Sequence, residues 1–323
     1  MTSAIVAENL RKTFRGGIVA LDGLSFEVAE GTVFGLLGPN GAGKTTAVRI
    51  LTTVTVPDSG SATVLGFDVV RDAALIRTNI GLAGQYAAVD ENLTGVENLR
   101  MIGQLTGFTR QDATKRAMEL LEAFELTPAA KRPAKTYSGG MRRRLDLAAA
   151  LVHRPPMLFL DEPTTGLDPY SRQSLWQVIE ELVSEGTTVL LTTQYLEEAD
   201  RLADSLAVVD HGKVIARGTA DELKAGLGTT LIDLELGDAM WAAKTIEVLE
   251  SRNLRAHVDD TKVEVPLAEG SRRLREVLEI LDQAGIEPTR VGVREPSLDD
   301  VFLTLTGHGS STSNQEMKGE ETQ

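Results

Sequence analysis

A glycine-rich segment near the N-terminus has the residue types that bind a polyphosphate. It runs Gly38-Pro39-Asn40-Gly41-Ala42-Gly43-Lys44-Thr45 and fits the pattern G-x-x-x-x-G-K-[ST]. Glycines let successive backbone N–H groups turn toward phosphate oxygens, and the N-terminus of a following helix adds a favourable dipole. In this chemistry Lys44 reaches the β- and γ-phosphates and Thr45 holds Mg²⁺. We therefore predict a nucleotide site at residues 38–45, with Thr46 beside it.

Two acids follow an apolar segment in the middle of the chain. Residues 157–160 are continuously apolar, which is typical of a parallel strand buried on both faces, and Asp161 and Glu162 come directly after them. The carboxyl ends of strands in an open parallel sheet face the ligand crevice. Asp161 is then placed to bind Mg²⁺, and Glu162 to orient or deprotonate a water that attacks the γ-phosphorus.

Alternating strand and helix patterns must position these residues. Strands are predicted at 32–37, 157–160 and 189–192, a hairpin at 206–216 around His211-Gly212, and helices at 44–51 and within 94–150. In the helical stretch, an amphipathic face is predicted from Met118, Leu121, Phe124 and Glu125. The buried strands together indicate an α/β domain with a parallel sheet.

A second pattern begins beyond Gly226 and Gly228, which mark a linker. Its order is βαββαβ, typical of the ferredoxin-like arrangement, with strands at 230–236, 256–258, 263–265 and 289–293 and helices at 239–249 and 271–281. Ser297 and Asp300 form a Ser-x-x-Asp capping signal before a last short helix. Residues 307–323 lack apolar side chains almost entirely and are predicted to be disordered.

Composition argues against several kinds of site and partner. Lys and Arg number 33 against 47 Asp and Glu, and the resulting net charge of −14 repels nucleic-acid backbones, so no direct nucleic-acid partner is expected. The absence of cysteine rules out disulfides, cysteine-ligated metals and thiol catalysis. No apolar stretch reaches the roughly 18 residues of a membrane span, so a membrane role requires a separate partner chain.

Three motifs together resemble the ATP-binding cassette family, the ATPase subunits of ABC transporters. The third motif, Tyr137-Ser138-Gly139-Gly140-Met141, is similar to the family signature, which is Leu-Ser-Gly-Gly-Gln in its commonest form. It lies in the helical segment shortly before the carboxylate strand, as the family requires. Gln85 matches the Q-loop, Asp168 in Gly166-Leu167-Asp168-Pro169 matches the D-loop, and Phe14 matches the aromatic residue that stacks on adenine. The resemblance covers about residues 1–220.

This resemblance implies a fold, a set of ligands and a set of roles. The fold is a P-loop ATPase domain at 1–225, with a mixed sheet and a helical subdomain at about 86–155, followed by a smaller α+β domain at 229–306 and the tail at 307–323. ATP and Mg²⁺ are the implied ligands. Catalytic roles fall to Glu162, Gln85, Gln194 and Asp168, and Mg²⁺ contacts to Thr45, Gln85 and Asp161. Ser138, Gly139 and Gly140 contact the nucleotide of the opposite subunit, which implies an ATP-dependent homodimer.

One position departs from the family pattern. The family usually has a histidine after the next strand, in contact with the γ-phosphate, whereas this chain has Gln194. A glutamine amide is neutral but can still donate a hydrogen bond. We expect Gln194 to keep the contact and to lose any role of a protonated imidazole.

Further residues narrow the resemblance to the daunorubicin-resistance type of drug-exporter ATPase: Met141, the arginines at 142–144, Gln194 and the segment 295–302. That subgroup implies a separate integral membrane permease, contacted by residues 85–98, and a peripheral location at the cytoplasmic face of the membrane. The arginines could form a solvated helix face. Because cations in a first helical turn oppose the helix dipole, we expect at least one of them to face an interface or a ligand.

The main alternative function is an ABC-type ATPase without transport, such as a translation or DNA-repair factor. Those proteins usually carry two cassettes, long coiled coils or zinc-binding cysteines, and this sequence has none of them. A GTP-dependent switch is disfavoured because the guanine-reading Asn-Lys-x-Asp motif is absent. Export of a lipid or a polysaccharide, rather than of a drug, stays open, and so does the role of residues 229–306.

Overall fold

The computed structural model describes residues 2–84, 89–226, 230–254, 256–267 and 270–306. Gln85 and the predicted tail at 307–323 lie outside the described residues. The chain divides into two compact units, Met1–Thr219 and Ala220–Gln323. None of the helices in the described ranges is long and apolar enough to cross a bilayer.

The first unit contains two sheets. Its strands are β1 Ser3–Phe14, β2 Ile18–Ala29, β3 Val33–Leu37, β4 Ser59–Val64, β5 Phe67–Asp68, β6 Ile80–Ala83, β7 Met157–Asp161, β8 Thr188–Thr193, β9 Ser205–Asp210 and β10 Lys213–Gly218. An antiparallel sheet has the order β2-β1-β4-β5, and a six-stranded sheet has the order β10-β9-β3-β8-β7-β6. The second sheet is parallel except for β10, which forms a hairpin with β9. The fold is therefore α/β with mixed strand directions, as predicted.

The hairpin between β9 and β10 turns at the predicted dipeptide. His211 and Gly212 have φ values of 44° and 74°. Positive φ at both central residues is what a type I′ hairpin turn requires, because its twist matches that of the flanking strands.

Every residue of the central strands β3, β7 and β8 is buried, so both faces of these strands are covered. Along β7 the side chains alternate between two hydrophobic clusters: Leu158 and Leu160 pack on one side, and Met157 and Phe159 on the other. Successive side chains of a strand point to opposite faces, so a continuous apolar run is needed to fill both clusters. On one of these sides Phe26 and Phe34 stack with ring centroids 5.3 Å apart.

The helices of the first unit are α1 Lys44–Leu51, α2 Ala73–Asn79, α3 Gly95–Leu105, α4 Arg110–Ala123, α5 Gly139–Ala150, α6 Pro169–Ser184 and α7 Leu196–Leu202. Helices α3, α4 and α5 pack against one another within the predicted helical subdomain. Local side chains start them: Thr94 and Glu97 form a capping box on α3, and Thr109 caps α4.

The predicted apolar face of α4 is partly wrong. Met118 is 42% exposed and Glu125 is exposed, whereas the buried positions are Ala113, Ala117, Leu120, Leu121 and, just past the helix, Phe124. Small alanines allow α4 to approach its neighbours closely, as Ala113 does at Gly103 of α3. A pattern search weighted toward large apolar residues overlooks such a face.

The second unit begins with a helix that the sequence pattern did not predict, α8 Ala220–Ala225. The predicted order of elements follows it: β11 Thr230–Glu235, α9 Ala239–Ser251, β12 His257–Asp259, β13 Lys262–Leu267, α10 Gly270–Gln283, β14 Arg290–Arg294 and α11 Leu298–Thr306. The sheet has the order β12-β13-β11-β14 with every pair antiparallel. This is the ferredoxin-like order that the βαββαβ pattern predicts. Its core includes Ile232, Leu234, Val263 and Val265.

Residues 295–302, which help to narrow the family resemblance, have a structural role inside the second unit. Ser297 accepts a hydrogen bond from the Asp300 amide at 3.3 Å, and the Asp300 carboxylate accepts from the Ser297 amide at 2.6 Å, which confirms the capping signal. Arg294 on β14 binds Asp300 of this cap together with Asp233 of the adjacent strand β11 and Glu264 of β13, the next strand along. The arginine thereby fastens α11 to the sheet.

Candidate functional site

The strand order places the candidate loops side by side. Strand β8 lies between β3 and β7, and β6 lies on the far side of β7. The glycine-rich segment follows β3, Gln194 follows β8, and Glu162 follows β7. All of these strands run parallel, so their carboxyl ends meet at one edge of the sheet, where open α/β sheets bind ligands.

The glycine-rich loop has a backbone that only glycine adopts readily. Gly41 and Gly43 have φ values of 84° and 109°, and Gly43 is the N-cap of α1. A Cβ at Gly43 would collide with the Ala20 carbonyl oxygen and with Leu21. The hairpin tip supports the loop, since the Gly212 amide donates to the Ala42 carbonyl at 2.9 Å. The loop thus leads directly into a helix N-terminus, the arrangement that attracts phosphate.

Lys44 is the first residue of α1 and is almost fully buried, with 4% of its surface exposed. Its Nζ donates to the carbonyl oxygens of Gly38 at 2.7 Å and Pro39 at 3.1 Å, across the loop. Burial lowers the pKa of Lys44, and the charges of Glu162 and Asp161 oppose that shift. The ammonium group is therefore held at the loop and close to both acids.

Asp161 joins the loop to the neighbouring strands. Its Oδ1 accepts hydrogen bonds from Thr192 Oγ1 at 2.6 Å and from Thr45 Oγ1 at 3.2 Å. Asp161 and Thr192 are register partners on β7 and β8. A hydroxyl and a carboxylate are hard oxygen ligands of the kind that Mg²⁺ prefers, so Thr45 and Asp161 fit this ion.

Glu162 is held by its backbone rather than by its side chain. Its amide donates to the Thr192 carbonyl at 3.0 Å and to Thr192 Oγ1 at 3.1 Å. Its φ of 51° lies in the left-handed region, which is unfavourable for a residue with a Cβ. The side chain is half-buried, and its Oε2 accepts a long hydrogen bond from Thr165 Oγ1 at 3.4 Å.

The signature segment forms the start of α5. Ser138 is the N-cap, and its Oγ accepts from the Met141 amide at 3.3 Å. Ser138 and Gly139 are exposed, and a Cβ at Gly139 would meet no atom within 4 Å. At Gly140 a Cβ would lie 3.0 Å from Ser171 Oγ, so this glycine lets α5 approach α6.

Asp168, Phe14 and Gln194 are the remaining predicted site residues that the structure describes. Asp168 caps α6, where hydrogen bonds from the side chain and amide of Ser171 hold the pKa of its carboxyl below the ordinary value. Phe14 is 39% exposed at the end of β1, with the Lys12 ammonium 5.9 Å from its ring. Gln194 is exposed directly after β8. Within the described part of the chain, no hydrogen bond joins Phe14, Asp168 or Gln194 to Lys44, Thr45 or Asp161.

The sequence analysis did not predict Thr192 as part of this site. Thr192 binds Asp161 and the Glu162 amide, and only its position on the strand next to β7 could have indicated this. The three arginines of α5 make different contacts. Arg142 pairs with Glu91, Arg144 pairs with Glu125, and Arg143 points inward with 15% of its side chain exposed.

Gln194→Ala is expected to slow ATP hydrolysis about tenfold. The amide that we expect at the γ-phosphate would be lost, and a hydrogen bond to a charged group contributes about 1.5–3 kcal/mol. Steady-state phosphate release at saturating ATP measures the effect. Gln194→His is the matched control, since it keeps a donor, and its rate should depend on pH near the ordinary histidine pKa of about 6.5. An unchanged rate in Gln194→Ala would show that the contact is unimportant.

Glu198 is a fully buried acid on α7, and its Oε1 accepts a hydrogen bond from Trp176 Nε1 at 3.3 Å. Burial raises the pKa of Glu198, against the opposing effect of its hydrogen bonds. A raised pKa in the folded state gives stability at low pH that is lost as the pH rises through that pKa. We therefore expect the stability of Glu198→Gln, measured relative to the wild type, to be higher at pH 8 than at pH 5.

Thermal unfolding at both pH values measures this, since 1 kcal/mol shifts the melting temperature of a domain of this size by roughly 2–4 °C. Glu197→Gln is the matched control, because it makes the same substitution at the neighbouring side chain, which is 76% exposed. The prediction is wrong if the difference between Glu198→Gln and the wild type does not change with pH.

The chain is similar to known protein families and to individual proteins along most of its length. The chain matches a family model described as ABC transporter over residues 21–165, and one described as the C-terminal domain of DrrA1-3-like ATP-binding proteins over residues 218–306. It is 50% identical to the daunorubicin resistance ATP-binding protein DrrA3 of Streptomyces coeruleorubidus, over 94% of this chain and 96% of that protein. It is 47% identical to the daunorubicin/doxorubicin resistance ATP-binding protein DrrA of Streptomyces peucetius, over 99% and 97%.

The fold is also similar to that of a solved ATP-binding cassette, a dimer in a post-hydrolysis state with bound ADP and phosphate. The TM-score is 0.62 at 25% identity, and the match covers 67% of this chain and 98% of the other.

Proposed function

The chain belongs to the ATP-binding cassette family of transporter ATPases, with a C-terminal domain of the DrrA type, and from that premise we propose that it powers an exporter of drug-like small molecules. Its activity is the hydrolysis of ATP. In this proposal it acts at the cytoplasmic face of the membrane, together with a separate integral membrane permease that residues 85–98 contact.

The observation that carries the catalytic part of the proposal is the set of hydrogen bonds that joins the ends of β7 and β8 to the start of α1. Thr45 and Thr192 both bind Asp161, and Thr192 also holds the Glu162 amide. Lys44 lies close enough to both acids for their charges to affect its pKa. One short region of the molecule thus contains a cation for phosphate, oxygen ligands for Mg²⁺ and a carboxylate for water.

Each residue then has a definite task in hydrolysis. The loop at 38–43 and Lys44 bind the phosphates, and Glu162 orients the attacking water and accepts its proton. Thr45 and Asp161 would hold Mg²⁺, which neutralises charge on the phosphates when it is bound.

A homodimer is the second part of the proposal. The chain has one glycine-rich loop and one signature segment, and Ser138 and Gly139 are exposed at the N-terminus of α5. Backbone amides at a helix N-terminus bind anions, so this surface suits the γ-phosphate of a nucleotide held by a second copy. The similar solved cassette is dimeric. ATP would favour the closed dimer and hydrolysis would release it, which is a population shift driven by differential affinity.

The proposed cargo class follows from the relatives. Both quoted curated relatives are named for resistance to daunorubicin or doxorubicin, and each is matched along nearly its whole length, including the C-terminal domain. Resistance to such a compound is explained by its export. The alternative, a cassette ATPase without transport, predicts no membrane partner.

The decisive experiment is the capture of tagged Glu162→Gln protein from detergent-solubilised membranes of the source cells in Mg-ATP. A stoichiometric partner with many membrane spans is the expected result. Recovery as a homodimer alone, or with ribosomes or DNA, would favour the ATPase without transport.

A further inference from the structure

Arg143 differs from the arginines on either side of it. All three lie near the N-terminus of α5, yet Arg142 pairs with Glu91 at 3.0 Å and Arg144 pairs with Glu125 at 3.1 Å. The Arg143 side chain is about as buried as that of Arg144, at 15% against 16% exposed, but its hydrogen bonds go to the backbone around Glu162. A buried cation near a helix N-terminus is unfavourable both for the dipole and for its own solvation, so its surroundings must compensate.

The compensation comes from backbone carbonyl groups. Arg143 Nε donates to Pro163 O at 2.9 Å, and Nη2 donates to Glu162 O at 2.9 Å and to Asp161 O at 3.1 Å. Nη1 donates to the carbonyl oxygen of Gly84, directly after β6, and lies 3.7 Å from Asp146 Oδ2. One guanidinium group therefore binds the chain segments that leave two adjacent strands.

Burial lowers the pKa of Arg143, and the charge of Asp146 is the largest effect that opposes it. The group stays a cation because the guanidinium pKa starts so high. An apolar side chain could fill this space without the cost of desolvation. The contacts of Arg143 instead use the fixed fork of a guanidinium donor, which a lysine cannot reproduce.

The segment that Arg143 binds contains the strained residue of the site. Glu162 has a φ of 51°, and such a conformation persists only where the surroundings over-determine it. Thr192 holds the Glu162 amide, and Arg143 holds the Glu162 carbonyl. The peptide groups on both sides of this residue are thus fixed, and the direction of its side chain follows from them.

We propose that Arg143 is a positioning residue for ATP hydrolysis, which sets the backbone of residues 161–163 and so aims the Glu162 carboxylate at the water. The same contacts connect that segment to α5, whose N-terminus carries Ser138 and Gly139. Gly139, Arg143 and Glu162 all line one cavity of about 330 Å³. A displacement of α5 is therefore transmitted to Glu162. The inference rests on the role proposed above for Glu162.

The test compares Arg143→Met with Arg144→Met in the full-length protein. Arg144 lies on the same helix with 16% of its side chain exposed, and its Nη1 also donates to a backbone carbonyl, that of Phe124, away from the site. We expect Arg143→Met to lower kcat for ATP hydrolysis about tenfold or more, with KM for ATP within about twofold, since a small misplacement of a reacting group can cost up to about 10²-fold. Arg144→Met should affect thermal stability but not kcat.

Arg143→Lys should recover part of the lost kcat, because its ammonium can bind some of the same carbonyls. Equal kcat in Arg143→Met and Arg144→Met would overturn the inference, as would a loss that appears in KM alone. Should Arg143→Met fail to fold, Arg143→Lys decides, and a wild-type kcat in that variant overturns the inference.

Single and double variants together separate this inference from the proposed function. Arg143→Met combined with Glu162→Gln should still form the ATP-dependent dimer, because neither change removes the phosphate loop or Ser138. If Glu162→Gln alone hydrolyses ATP normally, the role of Glu162 is wrong. If Glu162→Gln is inactive and Arg143→Met is fully active, only the inference about Arg143 is wrong.

Discussion

Glu162→Gln should bind Mg-ATP, lose about 10²–10⁴-fold of its hydrolysis rate and accumulate as a dimer. Glutamine has the length of glutamate but cannot accept the proton of the attacking water. The bonds that hold this position are made by the backbone amide and carbonyl, to Thr192 and Arg143, so the substitution leaves them in place. The loss should therefore fall on the chemical step and not on folding or on ATP binding.

Phosphate release measures the hydrolysis rate, and light scattering during gel filtration in saturating Mg-ATP measures the mass. Glu185→Gln is the matched control, since it removes the same charge from an exposed position at the end of α6. That variant should hydrolyse ATP and elute as the wild type does. A Glu162→Gln protein that stays monomeric in saturating Mg-ATP would falsify the two-chain site.

The parts of this site that the sequence predicts are those that are contiguous in the chain. Each of three features depends on a short run of consecutive residues: the glycine-rich loop, the acids after β7 and the serine cap of α5. Such a run can be recognised without knowing which distant segments pack against it. The same holds for the second unit, where the order of strand and helix periods was sufficient to predict a ferredoxin-like sheet, which the structure confirms.

The contacts that sequence could not predict join residues that are distant in the chain. Thr192 contacts Asp161 only because β8 lies beside β7. The periodicity of apolar residues predicts that a strand forms but not which strands are adjacent. Consecutive helical residues are about 100° apart around the axis, so which of the three arginines of α5 points inward depends on what that helix packs against. The sequence predicts that at least one of these arginines faces an interface or a ligand, but it does not identify Arg143.

Met118 illustrates the converse error. Its spacing with Leu121 placed it on the predicted apolar face of α4, yet the helix turns Ala113 and Ala117 toward the core and leaves Met118 exposed. Close approach of helix backbones favours small side chains at the contact, whereas hydrophobic spacing alone weights large ones.

Lys44→Ala should abolish productive ATP binding, and this is the largest effect on affinity that we expect from a single substitution. The ammonium group donates hydrogen bonds to the carbonyl oxygens of Gly38 and Pro39 in the loop. When it binds the β- and γ-phosphates instead, it makes at least two hydrogen bonds to charged oxygens, each of about 1.5–3 kcal/mol. Since 1.4 kcal/mol is a factor of ten, the affinity should fall by about 10²-fold or more.

Titration with a fluorescent ATP analogue measures that loss directly, and phosphate release should fall with it. Arg49→Ala is the matched control, because it removes a cation from the exposed face of the same helix and should bind ATP as the wild type does. The two acids near Lys44 sharpen the test, since removing the lysine removes a cation that offsets their negative charges. They would then repel the nucleotide as well. Wild-type affinity in Lys44→Ala would therefore mean that the glycine-rich loop binds no phosphate, and it would contradict the proposed nucleotide site.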